Sequence, residues 1–342
     1  MGRYILNDQT NSAQTQSNLR HVLSCLNKNQ HFHSFDDVDL FRLMSEDTIV
    51  RAADLIGHSS AQLRQDIFAA VLTGFRRDGY FVEVGATDGA YLSNTLMLET
   101  IFDWRGILAE PAVFWHKALV ENRKAVIETR CVHAETGRSL LFREVSSDRA
   151  LSTIAEYAEE DLHRSSRSCG EDYMVQSISL TDLLLSNKAP RQIDYLSLDT
   201  EGSEYDILRT FDFDAFQFGI ITCEHNYSKT RTSVLKLLTA KGYTRVLNKV
   251  SQFDDWYVHN SKLDILEAHF PDWRQVSSHN EVQDVQVLSE NEGTIRMLQE
   301  TVENLIVDRD HYKRQAEDQQ KTSRRPPKTN ASSGCCKRLS RT

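Results

Sequence analysis

From residue 60 to 275, short apolar runs alternate with segments whose apolar residues recur at helical spacing. SAQLRQDIFAAVL (60–72) carries a helical pattern that Asp78-Gly79 stops. The strand-like runs are YFVEVG (80–85), GILAEP (106–111), ETRCVHA (128–134), DYLSLDT (194–200) and FGIITCEH (218–225). Helical patterns such as NTLMLETIF, VFWHKALVEN and EYDILRTF separate several of them. This alternation predicts an α/β fold built on a doubly wound, mostly parallel sheet, because each parallel return needs a covering helix. After TRTSVLKLLTAKGY the pattern changes to TRVLNKV, a four-residue SQFD turn and DWYVHN. So short a connection requires antiparallel pairing, so the expected sheet is seven-stranded and closed by a C-terminal antiparallel hairpin.

The flanks read differently. Residues 1–55 form an N-terminal helical or irregular extension with apolar pieces LRHVLSCL and VDLFRLM, and residues 56–275 form the main domain. The polar stretch 146–175 interrupts the alternation as either a substrate loop or a solvated insertion. Over 285–320, Leu288, Ile295, Leu298, Val302, Leu305 and Tyr312 approach a heptad seam that Arg309 interrupts. That helix either forms a short coiled coil, and with it a homodimer, or packs on its own domain. Residues 321–342 are a Pro-, Ser- and base-rich tail with little to bury, expected to be disordered.

Composition narrows the function classes. A 342-residue chain with 40% hydrophobic residues can bury one substantial core. Its formal charge of −9 argues against a nucleic-acid partner, which needs a clustered basic surface. The start lacks an apolar leader and no run is long enough to cross a bilayer, so a cytoplasmic location without a transmembrane segment is expected. Six cysteines without ligand spacing read as reduced thiols, and His31 with His33 lacks a third metal ligand.

Chemistry-bearing residues collect at strand ends. The first strand leaves through GATDG, where Thr87 stands at the second glycine position of a dinucleotide fingerprint and Asp88 would repel a pyrophosphate. Acids flanking a glycine turn suit a cationic ligand better, and Glu83 and Asp88 flank this one. Glu110, 21 residues after Gly89, stands where an acid can accept from ribose hydroxyls; the alternative is that it caps a helix starting at Pro111. Asp199 and Glu201 end the fourth strand, and Cys223, Glu224, His225 and Asn226 end the fifth.

Taken together, FVEVGATDGAYLSNT, GILAEP, DYLSLDTEGSEYDIL, CEHN and DDWYVHN resemble the FkbM-type S-adenosylmethionine-dependent methyltransferases over about residues 60–260. The resemblance implies a class I methyltransferase, Rossmann-like sheet and methyl transfer, usually to a hydroxyl oxygen. It puts Glu83, Gly85, Ala86, Asp88 and Gly89 in the methionine-binding turn, with Asp199 beside it, and Glu110 on the ribose. His133, Ala134 and Glu135 would line the adenine. The acceptor would be a sugar, glycan or other polar small molecule. For the chemistry, His225 is a candidate base oriented by Asp199 or Glu224. Alternatively Asp199, Glu224 and Asn226 hold Mg²⁺ against the acceptor oxygens. A reading from another class is a catalytically inactive, methyltransferase-like interaction protein.

Overall fold

A computed structural model describes residues 35–146, 148–158, 167 and 170–277. The expectations for LRHVLSCL, His31 and His33, the 285–320 helix and the 321–342 tail lie outside the described residues. Eleven strands run in chain order among the described residues: β1 (Tyr80–Val84), β2 (Arg105–Ala109), β3 (Val126–Glu128), β4 (Cys131–His133), β5 (Ser139–Val145), β6 (Thr153–Ile154), β7 (Gly170–Ser179), β8 (Gln192–Leu198), β9 (Gln217–Glu224), β10 (Tyr243–Val246) and β11 (Asp254–His259).

The larger sheet has the order β10-β11-β9-β8-β1-β2-β3. Its five strands from β9 to β3 are parallel neighbours, whereas β11 runs antiparallel to both β9 and β10. The fold is therefore α/β with a mostly parallel sheet. Strand order reverses at β1, with β2 and β3 added on one side and β8 and β9 on the other. In open sheets that reversal opens a crevice at the carboxyl ends of the strands, and the site below lies there.

Strand periodicity divides the apolar residues between two cores. Phe81, Leu108, Tyr195, Ile220, Trp256 and Val258 belong to one, together with Ile67, Phe68 and Val71 of the helix Gln65–Leu72. Their neighbours Val82, Ile107, Leu196, Ile221 and Tyr257 belong to the other, with Leu183, Ile207 and Leu238 from three later helices. Alternate residues of a strand point to opposite faces, so both faces of the sheet are covered. Leu40 and Phe41, from the helix Phe35–Arg42, are buried in the first core. No described helix is long and apolar enough to cross a membrane.

The run ETRCVHA does not form one strand. Val126–Glu128 pairs with β2, whereas Cys131–His133 pairs with β7 in a separate four-stranded sheet of order β4-β7-β5-β6. Between them Arg130 folds back on Glu128, donating from its backbone N, Nε and Nη2 at 3.0, 2.9 and 2.7 Å. The polar stretch 146–175 is also partly strand: β7 starts at Gly170 and pairs antiparallel with β5. Phe142, Tyr173 and Val175 turn inward with Ile154 and Tyr157 to form a small third core. The exposed pair Leu141 and Met174 and the charged pair Arg143 and Asp172 oppose each other across the same ladder.

Candidate active site

The turn after β1 is held by main-chain geometry. Gly85 has φ +88°, and a Cβ there would lie 1.8 Å from the Asp199 carbonyl oxygen, so only glycine lets the ends of β1 and β8 meet. The backbone N–H groups of Gly85 and Ala86 both donate to the Ala109 carbonyl, at 2.9 and 3.2 Å. Thr87 takes a left-handed conformation and donates its N–H to Glu110 Oε2 at 2.8 Å. A Cβ at Gly89 would strike Arg123 Cγ at 2.5 Å.

Two of the acids expected beside a cation are engaged with the chain itself. Glu83 is buried and accepts from the Asn94 N–H at 2.7 Å, Ser93 Oγ at 3.0 Å and Thr95 Oγ1 at 2.5 Å. Arg123, wholly buried, lies 3.6 Å from Glu83 and donates to the Gly89 carbonyl at 3.0 Å. This pair braces the turn from behind. Asp88 Oδ1 accepts from the N–H groups of Ala90 and Tyr91, closing an Asx turn.

Glu110 links two turns. Its Oε2 accepts from Thr87 and its Oε1 from the Ala112 N–H, both at 2.8 Å. The helix after β2 starts at His116 rather than Pro111, so Glu110 is not a residue of its first turn. Burial pushes its pKa up to about 7 against those two hydrogen bonds, and the charges of Asp199 and Glu144 push the same way. Each carboxylate oxygen keeps a lone pair for a further donor.

Across Gly85, three acids converge: ligand atoms of Asp199, Glu201 and Glu224 all lie within 4.8 Å of one another. Asp199 and Glu224 are hydrogen-bonded carboxyl to carboxyl. Burial, with the charges of Glu204 and Glu83, pushes Asp199 up to about 6 despite that bond. Burial and the Asp199 charge push Glu224 well above the carboxylate range, so the pair holds a proton in common. Glu201, in a left-handed conformation at φ +59°, accepts from Arg167 Nη2 at 2.7 Å and Asn226 Nδ2 at 3.1 Å. Thr153 Oγ1 donates to the Glu201 carbonyl at 2.9 Å.

The trio expected to bind Mg²⁺ is thereby changed. Asn226 points its amide donor at Glu201, and Glu201 takes its place among the converging oxygens. Asp199, Glu201 and Glu224 are the residues whose oxygens could together hold a divalent ion, with the Arg167 guanidinium already on Glu201.

His225 is 5% exposed, and its nearest carboxylate is Asp255, 3.9 Å from Nε2, rather than Asp199 or Glu224. Its Nδ1 accepts from the Tyr227 N–H at 3.0 Å, so Nε2 carries the hydrogen. Burial lowers its pKa to about 4 against the pull of Asp255. Burial also acts on Asp255, but hydrogen bonds from Arg231 at 2.7 and 3.0 Å and the nearby charges hold it below the usual range. His133 ends β4, half-buried, with Ala134 beside it and Glu135 exposed and paired with Arg138. The His133 Nε2 meets the Tyr157 hydroxyl at 3.4 Å, while its buried Nδ1 has no partner.

Arg167, Thr153 and Asp255 are the site residues that the sequence pattern does not single out, whereas Glu201 is visible with Asp199 at the end of the fourth strand. Glu201 stands in the acidic block after β8, and its place before Gly202 marks a tight turn. Arg167 carries no signal in a polar stretch.

A family model described as "Methyltransferase FkbM domain" matches residues 83–285. No curated protein matches the chain. Among solved structures, the chain is similar to a methyltransferase FkbM from Methylobacillus flagellatus KT, at 12% identity and a TM-score of 0.35, covering 72% of this chain and 60% of that one. A precorrin-6y C5,15-methyltransferase from Geobacter metallireducens GS-15 gives 11% identity and a TM-score of 0.28, covering 53% of this chain and 73% of that one. A fibrillarin/Nop5p complex gives 14% identity and a TM-score of 0.31, covering 56% and 78%. Structural overlays this loose carry no argument, and the assignment rests on the sequence match, which spans more than half of the chain. The protein belongs to the FkbM methyltransferase domain family.

Proposed function

We propose that the protein binds S-adenosylmethionine on a class I methyltransferase sheet and methylates a hydroxyl oxygen of a sugar, glycan or other polar small molecule. The observation that carries this reading is the charge balance of the crevice. Glu110 feels the Asp199 charge across the Gly85 turn, and both acids are pushed up by burial. A cationic ligand would relieve both.

The residues present fit the cofactor. Glu110 has lone pairs left for the ribose hydroxyls, the 85–89 turn is pinned for the methionine part, and the orphaned His133 Nδ1 lies beside Ala134 for the adenine. When bound, the cofactor supplies an electrophilic methyl on a sulfonium. The chain must hold the acceptor hydroxyl in line with it and take up the hydroxyl proton. The Asp199–Glu224 pair, both members raised by burial, is suited to accept that proton, with Asp199 nearest the Gly85 turn. His225 is less suited to the role of base, because the Tyr227 N–H already occupies Nδ1 and Nε2 lies toward Asp255.

The test supplies S-adenosylmethionine with a labelled methyl group and compares polyols and oligosaccharides with amines as acceptors. Label in a product stable to mild base, as a methyl ether is, supports the reading. Asp199→Asn should lower turnover by about 10²-fold or more, whereas Glu224→Gln, which keeps a hydrogen-bond donor, should cost less. Transfer to amines alone would refute hydroxyl methylation.

A further inference from the structure

The chain leaves β9 through a turn that its residues resist. Asn226 and Tyr227 are both left-handed, at φ +38° and +56°, and the Ser228 N–H closes the turn on the His225 carbonyl at 2.6 Å. Two successive positive φ values favour Asn followed by Gly, so a tyrosine in the second place carries steric strain. Its neighbours hold it there. The Asn226 amide donates to Glu201 at 3.1 Å, the Tyr227 N–H donates to His225 Nδ1 at 3.0 Å, and the Tyr227 and His225 rings meet edge to face with centroids 5.2 Å apart. A strained backbone at a ligand crevice is a sign of a side chain kept for function. The ring is accessible: Tyr227 is 47% exposed, and Asp199 and Glu224 are also partly open to solvent. Among the described residues the exposed aromatic rings are Tyr91, Phe114 and Tyr227, all in loops that leave the larger sheet at the carboxyl ends of its strands. Phe114 already carries the Arg149 guanidinium 3.7 Å over its face, and Tyr227 follows the strand that pairs with β8 and ends in Glu224.

We propose that Tyr227 is the acceptor platform of the crevice: its ring stacks on the C–H face of a pyranose while the Asp199–Glu224 pair accepts the hydroxyl, so the substrate class is a neutral cyclic saccharide rather than an open-chain polyol. The inference rests on the reading of the crevice as a hydroxyl-methylating site and narrows its substrate class. The negative face of an aromatic ring attracts the polarised C–H bonds of a sugar, and carboxylates accept its hydroxyl hydrogens. Both kinds of group stand at the ends of β8 and β9, on the far side of β1 from Glu110. The acids Glu110, Asp199, Glu201 and Glu224 would repel a phosphorylated or carboxylated acceptor. A pyranose presents its flat face ready made, whereas an open-chain polyol must freeze several rotors to do so.

Transfer of a labelled methyl group by the full chain to methyl pyranosides of glucose, galactose and mannose, compared with sorbitol, galactitol and mannitol, tests this. The wild type should favour the pyranosides in kcat/KM by about fivefold or more. Tyr227→Asn removes the ring with a residue that suits the left-handed backbone, so it should fold, as melting curves check. Its preference should fall to about twofold or less, through a raised KM for the pyranosides. Tyr227→Phe keeps the ring and should keep the preference. S-adenosylhomocysteine affinity, measured by calorimetry, should agree among the three proteins, which a collapsed crevice would not allow. A preference that Tyr227→Asn retains, or a wild type that methylates ring and open-chain compounds alike, overturns the inference alone. No transfer to any of these hydroxyl compounds by the wild type overturns it together with the reading it rests on.

Discussion

Glu110 and Thr87 are joined by a 2.8 Å hydrogen bond from the Thr87 N–H to Oε2, and the second carboxylate oxygen is taken by the Ala112 N–H. One buried side chain therefore fixes the turn after β1 to the turn after β2. Glu110→Ala should weaken S-adenosylhomocysteine binding by roughly tenfold or more, since both turns and two ribose hydrogen bonds lose their acceptor. The pH dependence has a definite sign. With a pKa of about 7, Glu110 is mostly protonated at pH 6 and mostly ionised at pH 8. Only the ionised form accepts freely from both ribose hydroxyls, so affinity should rise with pH across that window. Glu110→Gln should lose this part of the rise; calorimetry at pH 6, 7 and 8 compares the two proteins.

Gly85 is the least replaceable residue of the turn. Gly85→Ala asks a residue with a Cβ to adopt φ +88° with that carbon 1.8 Å from a backbone oxygen at the end of β8. Urea unfolding should show a loss of at least about 2 kcal/mol, because the contact is backbone and cannot swing aside. A variant as stable as the wild type would mean that β1 and β8 do not meet as described.

Asp254 gives a pH signature to folding. It is buried opposite Glu224 in the β9–β11 ladder, accepts from Gln65 Nε2 at 2.8 Å and is pushed up to about 7 by burial. A carboxyl raised on folding contributes stability that is full below its unfolded value of 3.8 and is lost as pH rises through 7. Relative to Asp254→Asn, the wild type should gain on the order of 2–3 kcal/mol on going from pH 7.5 to pH 5. Denaturant unfolding at the two pH values measures it, and a constant difference between the proteins would rule it out.

Arg167 brings a cation to the acid cluster, with 1% of its side chain exposed and Nη2 2.7 Å from Glu201. Arg167→Ala leaves the Glu201 carboxylate without that guanidinium and should cost about 3–5 kcal/mol, while Arg167→Lys should recover part of it. Unfolding curves that agree within about 1 kcal/mol for all three proteins, roughly the value of an exposed pair, would show that the ion pair is not buried in solution.

Much of this architecture can be read from the chain because it follows from periodicity. The strands β1, β2, β8 and β9 are apolar runs bounded by turn residues, and their carboxyl ends carry the acids that matter. Glu110, Asp199 and Glu224 are visible for that reason. The second sheet is less legible because β5 and β7 cover one face only: Arg143 and Asp172 look like loop residues until the ladder pairs them. The split after Glu128 depends on Arg130 folding back, which no apolar pattern announces. Partners are least legible of all. Residue type suggests roles for Glu83 and His225, but the hydrogen bonds of Glu83 go to residues 93–95, and His225 faces Asp255, 30 positions along the chain. Arg167 and Tyr157 act through contacts at distances of 34 and 49 residues.

Whether the crevice between β1, β2 and β8 takes S-adenosylmethionine decides between an enzyme and an inert relative. Titration calorimetry of the purified full chain with S-adenosylmethionine at pH 8 answers it. The expected result is one site per chain with micromolar affinity, weakened in Glu110→Ala. No binding at high micromolar ligand, or equal binding by the wild type and Glu110→Ala, would refute the assignment of the crevice.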